Sequence, residues 1–134
     1  MTSRILNQTH DASRILLVED DALVARTLSE ALSHLGYKVC GHAYSGIGAV
    51  LMAERLKPDL VAMDIHLSGD VDGIEAAERM QANWDIPVLF ISGRADAKTR
   101  LRAEAIGGFV PKPYTEAELS AGLKAAMERH HGPS

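Results

Sequence analysis

The sequence predicts an α/β domain: a doubly wound, five-stranded parallel sheet with helices on both faces. Short apolar runs alternate with helical stretches five times from Arg14 onward, the pattern of a parallel sheet joined by right-handed crossovers. Several of the runs (RILLV at 14–18, LVAM at 60–63, PVLFIS at 87–92) are nearly continuous apolar segments, as strands covered on both faces require. A chain of 134 residues can bury one sizeable core and is too short for two ordinary ones. The expected organisation is a tail at 1–13, a domain at 14–130 and a tail at 131–134.

Each element has a local reason. The strand at 14–18 runs into Glu19-Asp20-Asp21, after which Val24, Leu28, Ala31, Leu32 and Leu35 recur at helical spacing and Gly36 closes the helix. Residues 37–43 suit a second strand. Ser45 can cap a helix through about Leu56, with Ile47, Val50 and Leu51 expected inward. Pro58-Asp59 breaks the chain before the strand at Leu60. Ile74, Ala77 and Met80 mark a helix over 73–83. A weaker helix covers 97–106, and 108–110 is a brief strand. Thr115-Glu116-Ala117-Glu118 forms a capping box, followed by Leu119, Leu123 and Ala126 on one helical face.

Composition narrows the function classes. Net charge is −4 with His neutral, so no basic field suggests direct nucleic-acid binding. The single Cys40 excludes an internal disulfide and a cysteine metal cluster, and suits a reducing compartment. No apolar stretch reaches the roughly 20 residues that cross a bilayer, and the opening MTSRILNQTHDAS lacks a signal peptide's apolar core. The expectation is a cytoplasmic domain that touches neither membrane nor nucleic acid.

Ligands of open α/β sheets bind outside the carboxyl ends of the strands. Those ends deliver Glu19-Asp20-Asp21, Asp64, Ser92 and Lys112. Carboxylates gathered there repel: two unit charges about 4 Å apart cost about 4 kcal/mol at an effective dielectric near 20. Protonation or a cation must compensate. Hard oxygen donors without a His or Cys bias favour Mg²⁺, which accepts one or two carboxylates plus a phosphate. A cation would also let an anionic Asp accept a phosphoryl group, with Lys112 as a point charge and Ser92 as a hydroxyl donor. The constellation reads as a phosphoaspartate site.

In ILLVEDD (15–21), PDLVAMDIHL (58–67), DGIEAA (72–77), IPVLFISG (86–93) and GGFVPKPY (107–114), the chain resembles the receiver domain of two-component response regulators, of the single-domain chemotaxis-regulator kind. That resemblance implies a flavodoxin-like three-layer sandwich with strand order 2-1-3-4-5. It implies Mg²⁺-dependent phosphorylation of Asp64 by a histidine kinase or histidine phosphotransfer protein. Asp20 then matches a direct metal ligand, Glu19 a ligand through water, and His66 the residue whose backbone carbonyl completes the protein's share. Ser92 matches the switch hydroxyl, Lys112 the phosphate-binding lysine, and Phe109 the aromatic switch position. The Lys112–Pro113 bond is expected cis. A downstream protein would bind the face made by the fourth helix, fifth strand and fifth helix, and a homodimer is compatible with this reading.

Several positions depart from the commonest pattern. Ser68 replaces a usual Pro, the loop LSGDVDG is about one residue longer, Gly107-Gly108 replaces Gly-Ala, Pro111 precedes Lys112, and Phe109 lacks a tyrosine hydroxyl. The resemblance puts His66 and Arg94, both bulky, at the positions where receivers tune water access to the phosphoryl group, so self-dephosphorylation is expected to be slow. The basic set Arg94, Lys98, Arg100 and Arg102 reads as a solvated face, with a partner surface as the second reading, Trp84 as a partly buried anchor, and His34, His42, His130 and His131 as surface or packing residues. The reading is a stand-alone receiver that is not a turnover enzyme. The alternatives are a receiver fragment of a larger hybrid kinase or regulator, and an Asp-nucleophile phosphatase; His66 stands where the latter needs its second Asp.

Overall fold

The structure, a computed structural model, describes residues 13–67, 69 and 71–131, with side chains as far as Glu128. The elements in order are β1 (Arg14–Val18), α1 (Ala22–His34), β2 (Lys38–Ala43), α2 (Gly46–Leu56), β3 (Leu60–Met63), α3 (Gly73–Trp84), β4 (Val88–Ser92), α4 (Ala97–Ile106), β5 (Gly108–Pro111) and α5 (Glu116–His131). The five strands form one sheet in the order β2-β1-β3-β4-β5, every pair parallel. This is the predicted order. The expected tails lie almost wholly outside the described residues.

Strand alternation divides the core in two. Leu16, Val18, Val61, Met63, Val88 and Phe90 pack with Ala49 and Ala53 of α2, Ala77 and Met80 of α3, and Ala103 of α4. Ile15, Leu17, Leu60, Ala62, Leu89 and Ile91 face the other way, against Leu28 and Leu32 of α1 and Leu119 and Leu123 of α5. Burying one such Leu or Ile contributes about 1.5–3 kcal/mol, so β1, β3 and β4 are held on both faces. Their ends are correspondingly fixed.

The helix starts follow their capping residues. Asp21 accepts from the N–H groups of Leu23 and Val24 at 2.9 and 3.1 Å, Ser45 from Gly48 at 3.0 Å, Asp72 from Glu75 at 2.9 Å and Asp96 from Thr99 at 2.8 Å. Thr115 and Glu118 make the reciprocal capping-box bonds at 2.8 and 3.1 Å. Gly36 ends α1 with φ +96°, a left-handed conformation that glycine adopts without Cβ strain. Pro111 belongs to β5, an outermost strand, where a missing N–H costs no ladder bond on the open side. The Lys112–Pro113 bond is cis.

One orientation differs from expectation. Ile47 and Leu51 of α2 are exposed, 50% and 61%, while Gly46, Ala49 and Ala53 face inward. The reason is proximity. A Cβ on Gly46 would fall on the Val71 carbonyl, so α2 presents its smallest residues to the neighbouring chain and turns the larger apolar pair outward.

In the β1–β2 ladder Ile15 pairs with Val39 but Leu16 with Gly41, leaving Cys40 as an extra residue. Such a bulge moves every later residue of the strand to the other face. His42 consequently pairs with Leu17, on the α1 side of the sheet.

Candidate functional site

The carboxyl ends of β1, β3, β4 and β5 meet at one rim, and the predicted polar groups meet there with them. Glu19, Asp20 and Asp64 each place a carboxylate oxygen within 4.8 Å of the other two. At that separation an unscreened pair of charges costs about 3 kcal/mol at an effective dielectric near 20. Asp64 directly follows β3, where its N–H donates to the Val18 carbonyl at 3.0 Å and ties the two acidic strand ends together. Its Oδ1 lies 3.4 Å from the His66 N–H.

Glu19 is the buried member, 3% exposed. Its Oε2 accepts from the Asp21 N–H at 3.1 Å and its Oε1 meets Lys112 Nζ at 3.2 Å. Burial pushes the Glu19 carboxyl above the usual carboxylate range; the Asp21 N–H and the Lys112 ammonium oppose that rise, and the Asp64 charge adds to it. Asp21 stands outside the group of converging carboxylates. It caps α1 and lends its N–H to Glu19.

Ser92 ends β4 and is buried at 2% exposure. Its Oγ lies 3.5 Å from the Arg94 N–H, and its carbonyl accepts from the Lys112 N–H at 3.1 Å. The hydroxyl and the lysine are therefore held by adjacent strands. Phe109 lies further back on β5, paired with Phe90 and half-buried against the α2–α4 core. It does not belong to the acidic group.

Gly73 shows how tightly Asp64 is seated. A Cβ there would fall on the Asp64 carbonyl, and the Gly73 N–H donates to the Ile65 carbonyl at 2.9 Å. The start of α3 is thus pressed against the backbone that carries the central carboxylate.

A model of the response regulator receiver domain matches residues 15–124. The chain belongs to the response regulator receiver family. The receiver is 33% identical over 118 residues to the transcriptional regulatory protein PdtaR of Mycobacterium tuberculosis, covering 87% of this chain and 57% of that one. It is 34% identical over 121 residues to the uncharacterized transcriptional regulatory protein YbdJ of Bacillus subtilis, covering 89% and 52%. The chain therefore spans about half the length of these curated relatives. Among solved structures, the signal receiver domain of a modulated diguanylate cyclase from Desulfovibrio desulfuricans G20 superposes with a TM-score of 0.80 at 36% identity, covering 88% of this chain and 95% of that one. The response regulator domain of Thermotoga maritima CheB gives 0.75 at 29% identity, covering 86% and 96%. The protein is thus a receiver domain of two-component signalling, with the flavodoxin-like fold expected.

The receiver's donor set fits a small divalent cation. Glu19, Asp20 and Asp64 offer hard carboxylate oxygens with no thiolate or imidazole in the group, the preference of Mg²⁺. The His66 side chain is exposed and is not among the converging donors. Ser68 and Asp70 of the lengthened loop lie outside the described residues. Among the described residues no helix is long and apolar enough to cross a membrane.

Two contacts were not legible beforehand. His34 Nδ1 meets Glu116 Oε2 at 2.9 Å, joining α1 to the start of α5. His42 Nε2 lies 3.0 Å from the backbone carbonyl of Glu19. A histidine 82 or 23 positions away from its partner carries no local spacing signal.

Proposed function

We propose that this receiver accepts a phosphoryl group on Asp64 from a phosphohistidine of a kinase or phosphotransfer protein, and signals through protein–protein contact. The observation that carries the reading is the convergence of Glu19, Asp20 and Asp64 within 4.8 Å, with Lys112 against Glu19. An Asp64 carboxylate oxygen attacks phosphorus, the P–N bond to the donor imidazole breaks as the new P–O bond forms, and the imidazole leaves with the bonding pair. Bound Mg²⁺, held by Asp20, Asp64, the His66 carbonyl and Glu19 through water, would screen the negative charge that otherwise repels the incoming group. Lys112 turns its ammonium to a phosphoryl oxygen, and the Ser92 hydroxyl donates to another. Phe109 then moves inward behind Ser92, changing the face formed by α4, β5 and α5 that a downstream protein reads.

A groove suited to the phosphodonor lies beside Lys112. It has a volume of about 410 Å³ and is lined by Leu23, Val24, Thr27, Lys112, Pro113 and Tyr114, and Leu23 is 73% exposed. Exposed apolar surface next to the phosphate-binding lysine is what a docking protein needs. Turnover is outside this reading, because His66 occupies the place of the second Asp of an Asp-x-Asp phosphatase.

Incubation with acetyl phosphate and Mg²⁺, followed by intact mass, tests the proposal. One phosphoryl group is expected on the wild type and none on Asp64→Asn. Unchanged labelling of Asp64→Asn would end the assignment. Asp20→Asn should weaken Mg²⁺ binding, since one direct ligand loses its charge, and equal affinity in a titration would remove Asp20 from that role.

A further inference from the structure

His42 lies at the acidic rim, yet none of the steps above uses it. Its Nε2 is 3.0 Å from the Glu19 carbonyl oxygen. A carbonyl oxygen only accepts, so the ring nitrogen facing it carries the proton and donates. The backbone ladder stops just short of this carbonyl. The β1–β2 pairing ends at Val18 and Ala43, and its last bond runs from the Glu19 N–H to the Ala43 carbonyl at 3.1 Å. Beyond Ala43 the chain turns through Tyr44 to Ser45, the cap of α2.

The placement depends on the bulge at Cys40. Without that extra residue His42 would pair with Val18 and face α2 and α3; with it, His42 pairs with Leu17 and faces α1. The ring is half-buried in a cleft that includes Leu17, Ala22 and Ala25, and it packs against Tyr44 at 4.0 Å between centroids with the ring planes tilted by 41°. It is held from one side and bonded on the other.

The Glu19 carbonyl belongs to the peptide unit that joins Glu19 to Asp20. Its orientation sets how the two acidic side chains diverge from the end of β1. We infer that His42 is a positioning residue for the acidic pair: its Nε2–H holds the Glu19–Asp20 peptide so that both carboxylates face Asp64, and so strengthens cation binding. The inference rests on the proposed Mg²⁺ site. Groups one shell out from a metal commonly govern affinity in this way, by about 10- to 100-fold.

Packing alone would need the ring, whereas positioning needs the N–H donor. Two variants separate the roles. His42→Phe keeps a ring against Tyr44 and loses the donor, and His42→Gln loses the ring and keeps an amide donor at similar reach. Mg²⁺ titrations followed by the amide resonances of Asp20 and Asp64 should show about tenfold weaker binding for His42→Phe and recovery toward wild type in His42→Gln. Phosphorylation by acetyl phosphate should shift to correspondingly higher Mg²⁺ in the Phe variant. Equal Mg²⁺ affinity in wild type and His42→Phe overturns the inference, as does a His42→Gln variant as weak as His42→Phe. A long-range ¹H–¹⁵N spectrum of the wild type gives a check that needs no variant: the neutral ring should be protonated at Nε2, and an Nδ1–H tautomer overturns the inference. A wild type that binds no Mg²⁺ overturns the site and the inference together; a wild type that binds beside an unaffected His42→Phe overturns the inference alone.

Discussion

The guanidinium of Arg100 lies over the ring of Phe109, 4.6 Å from its centroid, while its Nε meets Glu104 at 3.2 Å. A cation over an aromatic face contributes about 0.5–1 kcal/mol at an exposed site. Arg100 belongs to a helix surface and Phe109 to the adjoining strand, so the contact spans two elements of the proposed output face. On the proposed switch, an inward-moving Phe109 would leave this contact, and Arg100 would favour the resting arrangement.

Arg100→Ala should raise the inward population of the unphosphorylated protein about two- to five-fold, the equivalent of that energy. Amide shifts along α4 and β5 measure it. Shifts that coincide with wild type apart from the substituted site would remove Arg100 from the switch. Ser92→Ala, by contrast, should accept phosphate on Asp64 and leave the Arg102 amide at its resting position.

Gly73→Ala should destabilise the domain by about 1–3 kcal/mol, the usual cost of forcing extra atoms into a packed site. The added Cβ meets the Asp64 carbonyl, so Mg²⁺ affinity should fall as well. Gly93→Ala is the control, since its Cβ would meet Lys112 Cβ at an ordinary 3.5 Å. Urea unfolding midpoints read the stability, and equal midpoints for the two variants would contradict the close approach.

The His34 imidazole should titrate above its ordinary value, because Glu116 accepts a hydrogen bond from it and adds a favourable charge. A folded-state pKa raised in this way gives a contribution fully present below the ordinary imidazole value, near 6.5, and lost as pH rises through the higher folded value. NMR titration should find His34 raised in wild type and returned in Glu116→Gln. An unmoved midpoint in the variant would show that the contact does not set the titration.

Loss of phosphate from Asp64 should be slow in wild type and faster in the double variant His66→Asn with Arg94→Ser. Both native side chains are exposed, and the backbone of each reaches the site: the His66 N–H lies 3.4 Å from Asp64 Oδ1 and the Arg94 N–H 3.5 Å from Ser92 Oγ. On the proposed reading, both side chains would leave the backbone close enough to the acceptor to crowd an attacking water. Equal or slower decay in the double variant would refute the role.

What the sequence made legible followed from repeating local physics. Leu60 to Met63 has no polar residue and proved buried throughout, and Ser45 and Thr115 cap helices where their spacing placed them. The acidic rim was legible because strand ends are fixed once strands are. The face of α2 was not, because apolar residues occur on several sides of that helix and contact with Val71 chose Gly46, Ala49 and Ala53 over Ile47 and Leu51. His42 was hidden for a related reason. Its face depends on a bulge at Cys40 that leaves no mark in the residue pattern.

The contact between Lys112 and Glu19 has a thermodynamic consequence on the proposed reading. Lys112 is the resting counter-ion of a buried carboxylate, and it cannot serve Glu19 and a phosphoryl oxygen fully at once. A divalent cation that takes over the neutralisation of Glu19 releases the ammonium toward the anion. The anion, by drawing the ammonium away, leaves Glu19 more in need of the cation. Cation and phosphoryl group thus act as heterotropic effectors of one another, and reciprocity demands that each raise the other's affinity by the same factor. One lysine, shared between two charges, makes the rim a coincidence detector.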